Sequence, residues 1–551
     1  MNKSVLIIFI VLFSLSSCGI KKSLEDRPDI SGIEEIDTSR IKHSENYYTL
    51  GNNSLRKNKY DLWELYVEGK PLERGLAIGS LTRELIKKQE NAFFERIDLL
   101  VGSDGYLKFL SKVVAWFNRK MYLHVPEEYK KTIYGISRFG NDEYDNFAEP
   151  YVRFLYYHAA HDIGHALQDL MLVGCTTFAA WGEKTADGQM LLGRNFDFYV
   201  GDEFSEEKII AFVDPSEGHK FMIYTWGGMI GAVSGMNEDG LTVTINAAKT
   251  KIPTIAKTPI SLVAREILQY ANTIEEAIAI AKKREVFVSE SIMVGSAIDK
   301  KVVLIEVSPE KTGVYEVENS NTLVCSNHFQ SEAFAANERN QEAILKGTTK
   351  FRYERMQQLL NKNEKLTPKK AAAILRNRKG VNGIELGMGN ERAINQLLSH
   401  HGIIFKPEER LVWVSTNPYN LGEFVAYDLD EVFEKFRNGK TNVAIEKLVI
   451  PESPFLHSEA YKNYEEFRKL AREIYRKTEK EVEISEEKST YFKTLNPHYW
   501  KTYAILGNYY YEQNQYKKAI IEFKQALRRE VTTKPDRNRL EELVEKCYRK
   551  I

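Results

Sequence analysis

One hairpin near the middle of the chain constrains it most. Gly174-Cys175-Thr176-Thr177-Phe178-Ala179-Ala180-Trp181 is a small-residue and apolar run, and Met190-Leu191-Leu192-Gly193-Arg194-Asn195-Phe196-Asp197-Phe198 is a second one. Ala186-Asp187-Gly188 between them is a turn signal, so the segment predicts two strands folded back on each other. The fold-back brings Arg194 and Asp197 of the second strand towards the Cys175 thiol at the start of the first. A thiolate needs a nearby cation, and a nucleophile needs a base and an orienting group. These three residues together point to nucleophilic chemistry on a thiol.

The chain around that hairpin is too long, at 551 residues, for one compact core. It carries 77 basic and 77 acidic side chains, a net charge of zero, which argues against nucleic acid as a partner. The four cysteines, Cys18, Cys175, Cys325 and Cys547, are too scattered for a disulfide framework and lack the paired spacing of a zinc site. Cys325 reads as a core filler and Cys547 as a surface or helix-packing thiol.

The first residues read as an address. Met1-Asn2-Lys3 precedes the apolar run Val5–Leu15, which is too short to span a bilayer and suits a secretory signal. Leu15-Ser16-Ser17-Cys18 resembles a bacterial lipobox, which implies cleavage before Cys18 and lipidation of its thiol. An ordinary signal peptide is the alternative. The protein is expected to be exported and lipid-anchored to a bacterial cell envelope, the outer membrane rather than the inner.

Beyond residues 1–17, the polar stretch 18–58 reads as a tether, and residues 59–174 as a helical upstream region. Strand-like runs dominate from Cys175 to Asn246, including one predicted over Met229–Gly235. Helix blocks and further strands alternate up to about residue 430. Residues 431–490 read as a helical or irregular connector. From 491 to 551, Tyr503-x2-Leu506-Gly507-x2-Tyr510 with Ala519, Phe523 and Ala526 matches a tetratricopeptide-like helical hairpin, although a generic helix pair fits as well. Strand blocks alternating with helix blocks give an α+β layered fold.

The run GCTTFAAWG…DGQMLLGRNFDF resembles the N-terminal-nucleophile (Ntn) hydrolases of the penicillin acyltransferase and choloylglycine hydrolase type. More particularly, it is similar to the cysteine-nucleophile relatives of acid ceramidase and N-acylethanolamine amidase. Gly235-Met236-Asn237-Glu238-Asp239-Gly240, the strand ending in Asn246, Cys325-Ser326-Asn327-His328 and, more loosely, Arg352-Tyr353-Glu354-Arg355 extend the resemblance over about residues 120 to 430. It implies a four-layer αββα sandwich and self-cleavage between Gly174 and Cys175, with the upstream chain released. The freed α-amino group would serve as base for its own thiol, so the resemblance implies no cofactor and no catalytic histidine. By the same resemblance Asp197 orients that amine, Arg194 lies beside the sulfur, and Asn246 and Asn327 offer donors to an oxyanion. Arg352 is a second, substrate-binding cation, a place for which Arg355 competes. The implied reaction is hydrolysis or acyl transfer on an N-acyl amide: fatty-acyl, bile-acid or penicillin-like.

Two other classes stay open. His161 and His165 are four apart, the spacing of a helical zinc site, with Asp162 standing where such hydrolases carry glutamate and Gly164 weakening the helix. A packing role suits the same stretch. His400 and His401, adjacent in sequence, are expected on opposite sides of a strand and so not as a pair. A non-enzymatic, lipid-anchored binding module is the third class; intact Cys175, Arg194, Asp197 and Asn246 argue against it.

Overall fold

Apolar residues alternate along most strands with both faces buried, which requires covering layers on each side. In Leu241–Ala247, for instance, Leu241, Val243 and Ile245 enter one core while Thr242, Thr244 and Asn246 face the other way. The computed structural model describes residues 19–101, 104–166, 172–251 and 253–551, with the backbone alone at 99–101, 104–108, 161, 163–166, 172 and 173. Two sheets stack. An eleven-stranded sheet runs from Ile41–Ser44 at one edge to Thr312–Tyr315 at the other, with Ile209–Pro215 and Leu241–Ala247 near its middle. A six-stranded antiparallel sheet carries Thr176–Ala180 and Leu191–Phe196 between Thr322–Cys325 and His401–Lys406.

Between the sheets, Phe212, Met222, Met236 and Leu304 meet Ala179, Leu192, Ile403 and Val412. Outside the larger sheet, helices Pro71–Val101, Glu127–Ser137 and Ile260–Tyr270 cover Leu65, Val243 and Ile292 with Leu81, Ile133 and Ile267. Outside the smaller one, Thr349–Lys362 and Pro368–Leu375 cover Phe178 and Trp413 with Met356 and Leu375. The expected helix–sheet–sheet–helix sandwich is what the chain forms.

Several expectations are corrected. The stretch 18–58 is not a tether over its second half: Ile41–Ser44, Tyr47–Leu50 and Asn53–Lys57 form the edge of the larger sheet, with Tyr48, Leu50 and Leu55 turned inward. Their half-exposed strands of four or five residues carry too little apolar signal to stand out. The upstream region is not purely helical either, since Trp63–Gly69 lies parallel to Ile209–Pro215 over the full length of both strands. The strand expected over Met229–Gly235 is confined to Ser234–Asn237. Just before it, the chain turns through Gly227 and Gly228: a Cβ on Gly227 would meet the Leu85–Ile86 backbone, and Gly228 has φ +83. The connector 431–490 contains the helix Glu459–Glu479, whose Tyr464, Phe467 and Leu470 share a core with Leu397, Tyr419 and the C-terminal helices. Those helices are Trp500–Glu512, Tyr516–Leu527 and Lys534–Tyr548. Gly507 lets the first two meet, since a Cβ there would stand 2.5 Å from the Phe523 ring.

Candidate active site

The hairpin forms as expected, and its register places the site. Thr176 pairs with Asn195, and on the other side of the Gly174–Cys175 peptide Val173 pairs with Phe198. The junction is therefore held at both ends by ladder bonds, and Gly174 N–H donates to the Asp197 carbonyl at 3.1 Å. Arg194 shares a strand face with Leu192, and Cys175 shares one with Ala179, so both project into the layer between the sheets.

Arg194 Nη2 lies 3.5 Å from Cys175 Sγ. Its Nη1 donates to the Val233 carbonyl (3.1 Å) and Ser234 Oγ, its Nη2 also to the Ile245 carbonyl, and Phe196 lies beneath the guanidinium at 4.4 Å. Cys175 is only 1% exposed. Burial pushes its thiol up, and the Arg194 charge is the main force pulling it back. Asp197 is buried in the same place. Desolvation raises its carboxyl to about 7, opposed by the Ser399 hydroxyl and by Arg352 and Arg194.

Arg352, on Thr349–Lys362, reaches across from the outer helix layer. Its Nη1 donates to the carbonyls of Gly174 (3.0 Å) and Cys175 (2.6 Å) and to Thr176 Oγ1 (2.8 Å). Arg355 is turned elsewhere, onto Asn377 Oδ1, so Arg352 is the cation brought to the junction. Asn327 Oδ1 accepts from Arg352 at 2.7 Å while Asn327 Nδ2 donates to the Ala247 carbonyl. Asn246 accepts from Thr177 Oγ1 at 2.9 Å, and its Nδ2 makes a longer contact, 3.4 Å, to the Cys325 carbonyl. Cys325 is buried on the neighbouring strand, and Cys547 is buried among the C-terminal helices rather than at the surface.

Sequence reasoning missed Gln396 and Ser399. Gln396 Nε2 donates to the Gly174 carbonyl (2.8 Å) and to Asp197 Oδ2 (3.0 Å), and Ser399 Oγ donates to Asp197 Oδ1. Both lie in an irregular segment with no strand or helix pattern. The polar cluster Asn395-Gln396-x2-Ser399-His400-His401 directly ahead of a strand was the only signal.

The two histidines correct a second expectation. His400 precedes the strand that His401 begins, so no strand alternation separates them, and their Nδ1 atoms lie 2.9 Å apart. His401 Nε2 meets Ser234 Oγ at 2.9 Å. Arginine only donates. Ser234 Oγ therefore accepts from Arg194, and a hydrogen bond joins it to His401 Nε2. A second hydrogen bond joins the facing Nδ1 atoms of His401 and His400. Both imidazoles are held well below the usual histidine range by burial, and so stay neutral. This chain ends on Arg194 and fixes its orientation.

In the upstream helix Pro150–Ala166, His158 is a packing residue: Nδ1 meets the Phe154 carbonyl and Nε2 accepts from Ile230 N–H. Asp162 accepts from Ile260 N–H at the start of Ile260–Tyr270. The side chains of His161 and His165, like Cys18 and the whole signal segment, lie outside the described residues. Among the described residues no three His, Cys, Asp or Glu side chains gather as metal ligands, and no helix is long and apolar enough to cross a membrane.

A largely apolar cavity lies one ring away from Arg194. Phe93, Phe154 and Tyr157 of the upstream helices and Phe198, Phe204 and Trp226 of the core line it. Phe196 stacks on Phe198 and Trp226 and so separates it from Arg194.

Residues 183–415 match the family model of acyl-coenzyme A:6-aminopenicillanic acid acyl-transferase, a stretch that begins after Cys175 and contains Arg194, Asp197, Asn246, Asn327 and Arg352. An uncharacterized protein of Archaeoglobus fulgidus is 29% identical over 45% of this chain and 44% of its own length. Protein dcd1B of Dictyostelium discoideum is 24% identical over 49% of this chain and 54% of its own. The matched stretch thus spans about half of each relative. Among solved structures, the Caenorhabditis elegans ortholog of N-acylethanolamine-hydrolyzing acid amidase is similar over 42% of this chain and 93% of its own, at 17% identity and a TM-score of 0.31. A conjugated bile acid hydrolase of Clostridium perfringens covers 49% of this chain and 96% of its own, at 17% identity and a TM-score of 0.34.

Proposed function

We propose that the protein is a self-processing amide hydrolase or acyltransferase that uses Cys175 as an N-terminal nucleophile and forms an acyl-thioester on it. The observation that carries this reading is the fixed Arg194 guanidinium 3.5 Å from a thiol that sits at a clamped Gly174–Cys175 junction. In the continuous chain Cys175 has no α-amino group and its thiol is closed off from solvent, so this form is the inactive precursor. Cleavage before Cys175 frees an amine whose ordinary pKa, near 8, suits a general base for the adjacent thiol. The buried Asp197 carboxylate holds that amine in place. The thiol adds to the substrate's amide carbonyl, the amine portion leaves with the proton, and water or an acceptor amine takes the acyl group from sulfur. Asn246 and Asn327 supply side-chain donors to the oxyanion, and Arg352 binds substrate.

An N-acyl amide with an apolar acyl part is the substrate class that suits the aromatic cavity beside Phe196. The acyl-transferase family match supports the acyl chemistry. Lipidation at Cys18 tethers the enzyme to the cell envelope, and Cys18→Ala should move it from the membrane to the soluble fraction.

Intact mass of the purified protein beside Cys175→Ala is the first test. Two fragments meeting at Gly174/Cys175 in the wild type alone support the mechanism. One whole chain in both leaves no α-amino base and sinks it.

A further inference from the structure

We infer that Gln396 is a catalytic residue of the self-cleavage step, one of two donors that hold the Gly174 carbonyl for attack by Cys175. The inference rests on the self-processing reading above and goes beyond it by naming the group that activates the scissile bond. Gln396 is 3% exposed, and its amide orientation is fixed by chemistry. The two atoms it meets, Gly174 O at 2.8 Å and Asp197 Oδ2 at 3.0 Å, both require a donor, so the nitrogen must face them. Arg352 Nη1 reaches the same carbonyl at 3.0 Å. Two donors thus converge on one oxygen, in a site from which water is excluded, and that oxygen is the one that becomes negative when sulfur adds.

The glycine at 174 follows from the same contact. A Cβ there would lie 2.4 Å from Gln396 Nε2 and 2.9 Å from its Oε1, so any side chain would push the amide off the carbonyl. Gly174 is needed because Gln396 packs directly on it.

The step balances as follows. The Cys175 thiol loses its proton to the neighbouring Asp197 carboxylate, and sulfur bonds to the Gly174 carbonyl carbon. The oxygen takes the charge between Gln396 and Arg352. On collapse the C–N bond breaks and the proton passes to the Cys175 nitrogen, leaving a thioester and a free α-amine. Water then adds to the thioester, the C–S bond breaks, and the products are the Gly174 carboxylate and the restored thiol. The mature reaction acts on an external carbonyl, so Gln396 matters there only through Asp197.

The test is a time course of cleavage of full-length protein at Gly174/Cys175, followed by intact mass, for wild type, Gln396→Leu and Gln396→Asn. Loss of one oxyanion donor corresponds to a slowing of about 100-fold. Gln396→Leu should cut about that much more slowly. Gln396→Asn keeps the polar amide but withdraws it by one methylene, and should also slow. The uncut Gln396→Leu chain should elute and unfold as cooperatively as uncut Cys175→Ala, which general misfolding cannot produce. Gly174→Ala should slow cleavage in wild type yet add little in a Gln396→Ala background, because both changes remove the same contact. Equal cleavage rates for wild type and both Gln396 variants would overturn the assignment while leaving the mechanism standing. A wild-type chain that stays whole would overturn the self-processing reading and this role with it.

Discussion

At the scale of single residues, the site brings ionisable groups into a dry layer and adjusts each by what touches it. Cys175→Ala should remain folded, remain whole and hydrolyse no amide; Cys175→Ser should fold and lose amide hydrolysis. Full activity in the alanine form would end the thiol mechanism. Asp197 makes a sharper prediction. Its carboxyl is raised by burial to about 7, so the ionised form that accepts a proton or binds an amine is populated only above that pH. Self-cleavage should therefore rise through pH 7 and level off beyond it. Stability should run the other way. A carboxyl raised from about 4 to about 7 on folding contributes fully below pH 4, and that contribution is lost as pH climbs through 7. Asp197→Asn carries no such charge, so its melting temperature relative to wild type should be higher at pH 8 than at pH 5, while cleavage is abolished. A difference that does not change with pH would refute the buried, raised carboxyl. His401→Phe removes the hydrogen-bond partner of Ser234 Oγ. It should cost about 1–3 kcal/mol of stability and lower kcat more than it changes KM, because Arg194 loses its fixed orientation.

At the scale of elements, what could be read from sequence is what is short-range. The hairpin was legible because its turn, its two apolar runs and its three chemical residues all fall within one local segment. The C-terminal helix pair was legible from small residues at fixed spacing, and Gly507 against Phe523 is the contact those residues predict. Gly507→Val should force these two helices apart, at about 1–3 kcal/mol or more. Its effect should reach the junction as slower self-cleavage, because Tyr464 of the same helical core donates to the carbonyl of Leu397, next to Gln396. Thermal unfolding and a cleavage time course on one sample test both parts, and unchanged cleavage in a destabilised variant would separate the helices from the site. The strands Ile41–Lys57 were hidden by their shortness and exposed faces, and Gln396 by an irregular segment brought to Gly174 only through tertiary packing. His400 and His401 escape strand alternation because the strand begins only at His401.

At the scale of the whole molecule, the chain on either side of Gly174 is one folded unit. Trp63–Gly69 lies inside the larger sheet against Ile209–Pro215. His158 accepts from Ile230 N–H and Asp162 from Ile260 N–H, both across the cleavage point. The upstream helices and the core strands bury their apolar faces in a single cluster, and they build the aromatic cavity from both sides. Cutting one peptide bond removes none of these contacts, so the upstream chain should not be released as the sequence alone suggests. The two fragments should elute together in size exclusion and part only in denaturant. A second consequence follows from mass action. Unfolding the uncut chain is unimolecular, whereas unfolding the cut protein liberates two chains, so its melting temperature should rise with protein concentration. Cys175→Ala, which stays whole, should melt at one temperature across the same dilution series. Fragments that separate in native buffer would mean that the strand and helices before Gly174 are held mainly by their covalent link, and the cavity they line could not belong to the mature enzyme.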